Sequence, residues 1–105
     1  MRLKPEYIQH IVDALTPFLS PGATLRLYGS RMNPKARGGD IDLLLLVPSV
    51  QQKNALQRDH HHLLAEIKKR IGDQKVDLLI SEPNELEKDP FLHLVYPESQ
   101  ILYTW

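Results

Sequence analysis

Residues 27–47 read LYGSRMNPKARGGDIDLLLLV, and the division of this stretch into strand, loop and strand decides the fold. Its second half, DIDLLLLV over 40–47, is apolar at odd and even positions alike once the two aspartates are passed. A strand with one face in water alternates, so a run apolar on both parities predicts a central strand covered on both sides. The first half completes a shorter strand, ATLRLY over 23–28, with Leu25 and Leu27 on one face and Gly29 and Ser30 at its end. Between them, RMNPKARGG over 31–39 is polar and carries Pro34 and the Gly38-Gly39 pair, which makes it a loop with at most one helical turn.

Helices are expected on either side of this core. Upstream, Pro5 followed by Tyr7, Ile8, Ile11, Val12 and Leu15 has the spacing of an amphipathic helix, closed by Pro17 and the Ser20-Pro21-Gly22 turn. Downstream, Ser49 suits an N-cap, and Leu56, His60, Leu63, Leu64, Ile67 and Ile71 trace one stripe, predicting a single long helix that ends at Gly72. KVDLLI over 75–80 predicts a third strand in which Asp77 interrupts an otherwise apolar run. Beyond it, Pro83, Pro90 and Pro97, with FLHLVY between the last two, predict a loop, a short helix and a terminal strand over 100–104. The pattern is that of an α/β (α+β) domain with a small mixed sheet and flanking helices.

The 105 residues, 42% hydrophobic and 25% charged, suit one domain over 1–105 that buries about two-thirds of its unfolded surface. Thirteen basic and thirteen acidic side chains cancel, so no global positive field draws the chain to nucleic acid, and a polynucleotide partner is not expected. The absence of cysteine excludes disulfides, zinc–thiolate sites and thiol nucleophiles. Charges scattered through MRLKPEYIQHIVDAL leave no apolar signal-peptide core, and no run reaches membrane-spanning length. A cytoplasmic protein without a membrane partner is expected.

Strand side chains alternate, so Asp40 and Asp42 point the same way, about 6–7 Å apart along the strand, and Asp77 can join them from a neighbouring strand. Carboxylates converging at one sheet end repel one another unless a cation neutralises them. Magnesium suits this set, since it prefers oxygen ligands and commonly bridges carboxylates to nucleotide phosphates. Gly29 would let backbone amides approach a phosphate, the Ser30 hydroxyl would add a hydrogen bond, and Arg31 a charge-assisted contact.

With these residues assembled, LYGSRMNPKARGGDIDLLLLV resembles the Gly-Ser, spacer, Asp-x-Asp signature of minimal nucleotidyltransferases of the polymerase-beta-like superfamily, and Asp77 matches their third carboxylate. The resemblance covers residues 23–80 and includes the order strand, loop, strand, helix, strand. It implies that Gly29 and Ser30, with Arg31 beside them, hold a triphosphate, that Asp40 and Asp42 bind metal, and that Asp77 completes the site as ligand or base. Magnesium, or manganese in its place, is then the cofactor, and ATP or another nucleoside triphosphate the substrate. The chain departs from the pattern at Gly39, where a serine usually precedes Asp-x-Asp, and in a slightly shorter spacer. It also shows none of the extra domain that holds base and acceptor in larger relatives.

Small members of this type resemble the antitoxin half of bacterial HEPN toxin–antitoxin pairs, in which the nucleotidyltransferase adenylylates its all-helical partner. The resemblance therefore implies transfer of AMP to a small all-helical HEPN-type protein. The alternative is a non-catalytic antitoxin that neutralises the partner by forming a complex. A small-molecule acceptor such as an aminoglycoside is less favoured without an acceptor domain, and homo-oligomerisation is left open. Plainer readings compete elsewhere. Gly38 is an ordinary turn glycine, and Lys35 and Arg37 read as solvated loop charges. His60, His61 and His62 are consecutive, so on a regular helix they point about 100° apart and cannot chelate one ion; His60 lies on the apolar stripe and packs there. The apolar side chains of 91–96, with Tyr103 and Trp105, read as core or as a docking edge.

Overall fold

A computed structural model describes residues 3–32 and 39–105, with Ser30 described through its backbone. The readings of Lys35, Arg37 and Gly38, and of the Ser30 hydroxyl, lie outside what it describes. Among the described residues the predicted architecture is present as a mixed α+β fold. Helix α1 spans Pro5–Leu15 and is followed by a 3-10 turn at Thr16–Phe18. Strand β1, Thr24–Tyr28, runs into a second 3-10 turn at Gly29–Met32. Strand β2 is Ile41–Leu46, helices α2 and α3 are Val50–Arg58 and His60–Ile71, and strand β3 is Val76–Ser81. Two short helices, α4 at Glu85–Lys88 and α5 at Pro90–Val95, precede strand β4 at Gln100–Thr104.

The described strands form one sheet in the order β3-β2-β1-β4, with β2 antiparallel to β1 and parallel to β3, and β4 antiparallel to β1. Strand β2 is central, and Leu43, Leu44 and Leu45 are all completely buried, as a run apolar on both parities requires. One face carries Leu25, Leu27, Ile41, Leu43, Leu45, Leu78 and Ile80 against Ile11 and Leu15 of α1 and Leu63 and Ile67 of α3. The opposite face is smaller: Tyr28 and Leu44 pack with Leu92 of α5, and Leu79, Leu86, Val95 and Tyr96 close around them. Asp89 organises α5 by accepting hydrogen bonds from the amides of Phe91 (2.9 Å) and Leu92 (3.4 Å), with Pro90 at the first helical position.

The single long helix expected between Ser49 and Gly72 is instead two. Ser49 caps α2 by accepting from the Gln52 amide at 3.2 Å, and the helix then breaks at Asp59, whose backbone (φ −99°, ψ 11°) leaves the helical region. Aspartate is a weak interior helix former because its side chain competes for nearby backbone donors. The break also brings the His60 ring within 2.7 Å of the Leu78 carbonyl of β3 through Nε2. Strand β3 lies at the sheet edge, where outward backbone groups have no strand partner, and His60 satisfies one of them. His60 therefore serves the sheet edge rather than simply packing on the apolar stripe.

Candidate active site

The ends of three adjacent strands meet at one place. Antiparallel register sets Tyr28, the last residue of β1, opposite Asp42 of β2, and parallel register sets Asp42 beside Asp77 of β3. Register partners project to the same side of a sheet, so Tyr28, Asp42 and Asp77 stand in a row across its smaller-core face. The row forms because β2 and β3 begin here while β1 ends here. The end of β1 and the starts of β2 and β3 thus share one rim.

Asp42 is perturbed by burial and by its neighbours in the row. Its carboxyl is raised above the usual range, first by burial, then by the charges of Asp77 and Asp40 and by a side-chain hydrogen bond with Asp77, while Lys75 pulls it down. Two carboxyls so placed are stabilised when they share a proton or a cation. The Tyr28 hydroxyl is raised as well, by burial and then by Asp42 and Asp77. Gly29 has φ +79°, and a β-carbon on it would overlap Asp42 Oδ2 and lie 3.1 Å from Asp42 Cγ. Glycine is therefore needed twice over at this turn: for the left-handed backbone, and to leave room for the carboxylate.

Asp40 lies just before β2 and forms an ion pair with Lys75, Oδ2 to Nζ 3.4 Å. Arg31 donates from Nε to the Gly39 carbonyl and from Nη2 to Gln74 Oε1, each at 3.3 Å, and so joins the end of the loop to the segment leading into β3. Of the residues singled out in the sequence, Asp42, Asp77 and Gly29 are brought into one cluster, Arg31 and Asp40 line its rim, and the Ser30 backbone is the second residue of the turn that Gly29 begins. Among the described residues no three acidic or histidine side chains stand in a metal-binding arrangement. The donor set still suits a hard divalent ion: the oxygens of Asp42 and Asp77 repel across the strands, and those of Asp40 lie on the same rim.

The sequence does not single out Tyr28 or Lys75 as site residues, and Phe91 reads there only as core or a docking edge. Tyr28 stands next to the Gly-Ser pair, and its parity matches Asp42 only once the antiparallel pairing is known. Phe91 of α5 meets Tyr28 edge to face, ring centroids 5.8 Å apart. With His60, Leu64, Leu79 and Asp77, these two rings line a groove of about 270 Å³. His61 and His62 are exposed, their rings 4.1 Å apart, in keeping with the plain reading of the triplet.

A protein-family model described as Nucleotidyltransferase domain matches residues 9–101. No curated protein matches the chain. The matched span includes β1, β2 and β3, the first two residues of β4, and every residue of the rim, from Tyr28 to Asp77.

Proposed function

Because this chain belongs to the nucleotidyltransferase domain family, we propose that it is a magnesium-dependent enzyme transferring AMP from ATP to a protein partner, a small all-helical HEPN-type toxin. The observation that carries this reading is the pairing of Asp42 with Asp77 on one sheet face, directly against the glycine that ends β1. Asp40 and Asp42 hold the cation, with Asp77 as the third oxygen donor. When bound, magnesium neutralises the carboxylates and the developing phosphate charge. The backbone of Gly29 and Ser30 cradles the triphosphate, and Arg31 exchanges its present partners for phosphate oxygen.

In the reaction an acceptor hydroxyl oxygen bonds to the α-phosphorus, the bond from that phosphorus to the bridging oxygen breaks, and pyrophosphate leaves. Asp77 takes the hydroxyl proton; it is the more exposed carboxylate of the pair and lines the groove beside Tyr28 and Phe91, where an acceptor can approach. The exposed Phe91 (48%) lines this groove, and Leu94 (72%) on the same short helix adds apolar area for a partner. The same surface favours a second reading, a binding antitoxin that neutralises its partner without chemistry.

The test is the intact mass of the helical partner after incubation with this protein, ATP and Mg²⁺, beside an Asp40→Asn, Asp42→Asn control. Addition of AMP units, lost in the control, supports transfer. An unchanged mass with a stable complex supports the binding antitoxin.

A further inference from the structure

We propose that Lys75 is a placeholder cation, its ammonium occupying on Asp40 the place that a divalent ion takes over. The inference rests on the reading of Asp40, Asp42 and Asp77 as cation-binding carboxylates. Lys75 Nζ lies 3.4 Å from Asp40 Oδ2. The placement is set by the backbone, because the Ile41 amide donates to the Lys75 carbonyl at 2.9 Å and continues the β2–β3 ladder one step before the Ile41–Val76 pair. Lysine is thereby fixed beside the start of β2, where the carboxylates concentrate.

Asp42 and Asp77 are register partners within the ladder, whereas Asp40 stands just before it and has Lys75 as its ion-pair partner. The side chain of Lys75 is 73% exposed and that of Asp40 40%, so the ammonium can withdraw into water without leaving a buried charge. Lysine suits this role better than arginine would, being a compact, strongly hydrated charge on a flexible stem and not a rigid two-pronged clamp. An exposed pair of this kind is weak, which is what a displaceable counter-ion requires.

Binding of Mn²⁺ alone to the full chain, measured from the electron paramagnetic resonance signal of the free ion, tests the proposal without reference to turnover. Lys75→Gln is expected to tighten Mn²⁺ binding by about three-fold, within the range of an exposed ion pair. Lys75→Arg, which keeps the charge but can clamp the carboxylate with two donors, should not tighten Mn²⁺ binding and is expected to weaken it, whereas Lys68→Gln on the exposed side of α3 should stay near wild type. In wild type, titration with Mg²⁺ should move the Lys75 side-chain ¹⁵N resonance with the same midpoint as metal uptake. Unchanged or weaker Mn²⁺ binding in Lys75→Gln, equal tightening in Lys68→Gln, or a Lys75 resonance indifferent to Mg²⁺ would each overturn it. Wild type that binds no Mn²⁺ removes the cation reading of the carboxylates along with the placeholder. Wild type that binds Mn²⁺ with Lys75→Gln unaffected removes the placeholder alone. Circular dichroism melts confirm that the variants fold, as exposed substitutions should.

Discussion

Asp42→Asn should stabilise the metal-free protein at neutral pH while removing its proposed activity. Asp42 and Asp77 are register partners on adjacent parallel strands whose backbones lie about 4.8 Å apart, and their carboxyls come within hydrogen-bonding reach of each other, so about 4.8 Å is an upper bound for the separation of their charges. Two unit charges at that distance repel by about 0.8 kcal/mol in bulk water and about 3 kcal/mol at an effective dielectric near 20. The rim is open to solvent, and screening brings the expected gain to about 1 kcal/mol. Asparagine keeps the shape that fits against Gly29, and its amide can donate to Asp77. For a chain of this size about 1 kcal/mol corresponds to a rise in Tm of roughly 4–6 °C.

The pH dependence makes the cause identifiable. A carboxyl raised in the folded state binds its proton more tightly there than in the unfolded chain. Its favourable contribution is therefore complete below the unfolded value, near pH 4, and is lost as pH rises through the higher folded value. Thermal melts of wild type and Asp42→Asn from pH 3.5 to 8, without metal, should show near-equal stability at the acid end and a widening advantage for the variant above it. Adding Mg²⁺ at pH 7.5 should narrow the gap by stabilising wild type in proportion to its occupancy. A variant less stable than wild type at pH 7.5, or an advantage that stays flat across the range, would refute the repulsion argument.

Gly29→Ala should cost about 1–3 kcal/mol from the left-handed backbone, before any displacement of Asp42 is counted, and urea unfolding should show it as a lower midpoint with an unchanged slope. At the far end of the sheet, Lys53 Nζ lies 2.6 Å from Glu85 Oε2, and Glu85 also accepts from Ser81 Oγ and the Glu82 amide. Burial works against the charge on Glu85, but the Lys53 hydrogen bond and these further donors outweigh it and hold the carboxyl below its usual range. Its contribution is present above the unfolded value and is lost as pH falls through the depressed folded one. Lys53→Met should therefore destabilise by about 1 kcal/mol at pH 7, with the deficit closing on acidification in chemical denaturation series.

Both halves of the central motif could be read before any coordinates. Leucines on both parities of 40–47 specified a doubly covered strand, because a one-residue period leaves no face for water, and the structure buries Leu43, Leu44 and Leu45 completely. Glycine after an alternating strand marked a place of close approach, expected there for a phosphate; in the structure the close approach is that of Asp42. Local chemistry also marked the cap at Ser49, the short helix between Pro90 and Pro97 and the terminal strand, but not α4, which forms where a loop was expected. It did not reveal the break at Asp59, since the apolar stripe continues through it and the deciding contact, His60 to the Leu78 carbonyl, comes from a strand eighteen residues away.

What the sequence determined by itself was therefore the strand and helix content, the central position of β2 and the acidic character of the rim, all properties of neighbours along the chain. Strand order and register belonged to the tertiary structure. Only the antiparallel pairing of β1 with β2 and the parallel pairing of β2 with β3 put Tyr28, Asp42 and Asp77 in one row, and only the ladder at Ile41 put Lys75 against Asp40. Such contacts are fixed by which backbone groups hydrogen-bond across strands, and a one-residue slip in that pairing would send every one of these side chains to the other face.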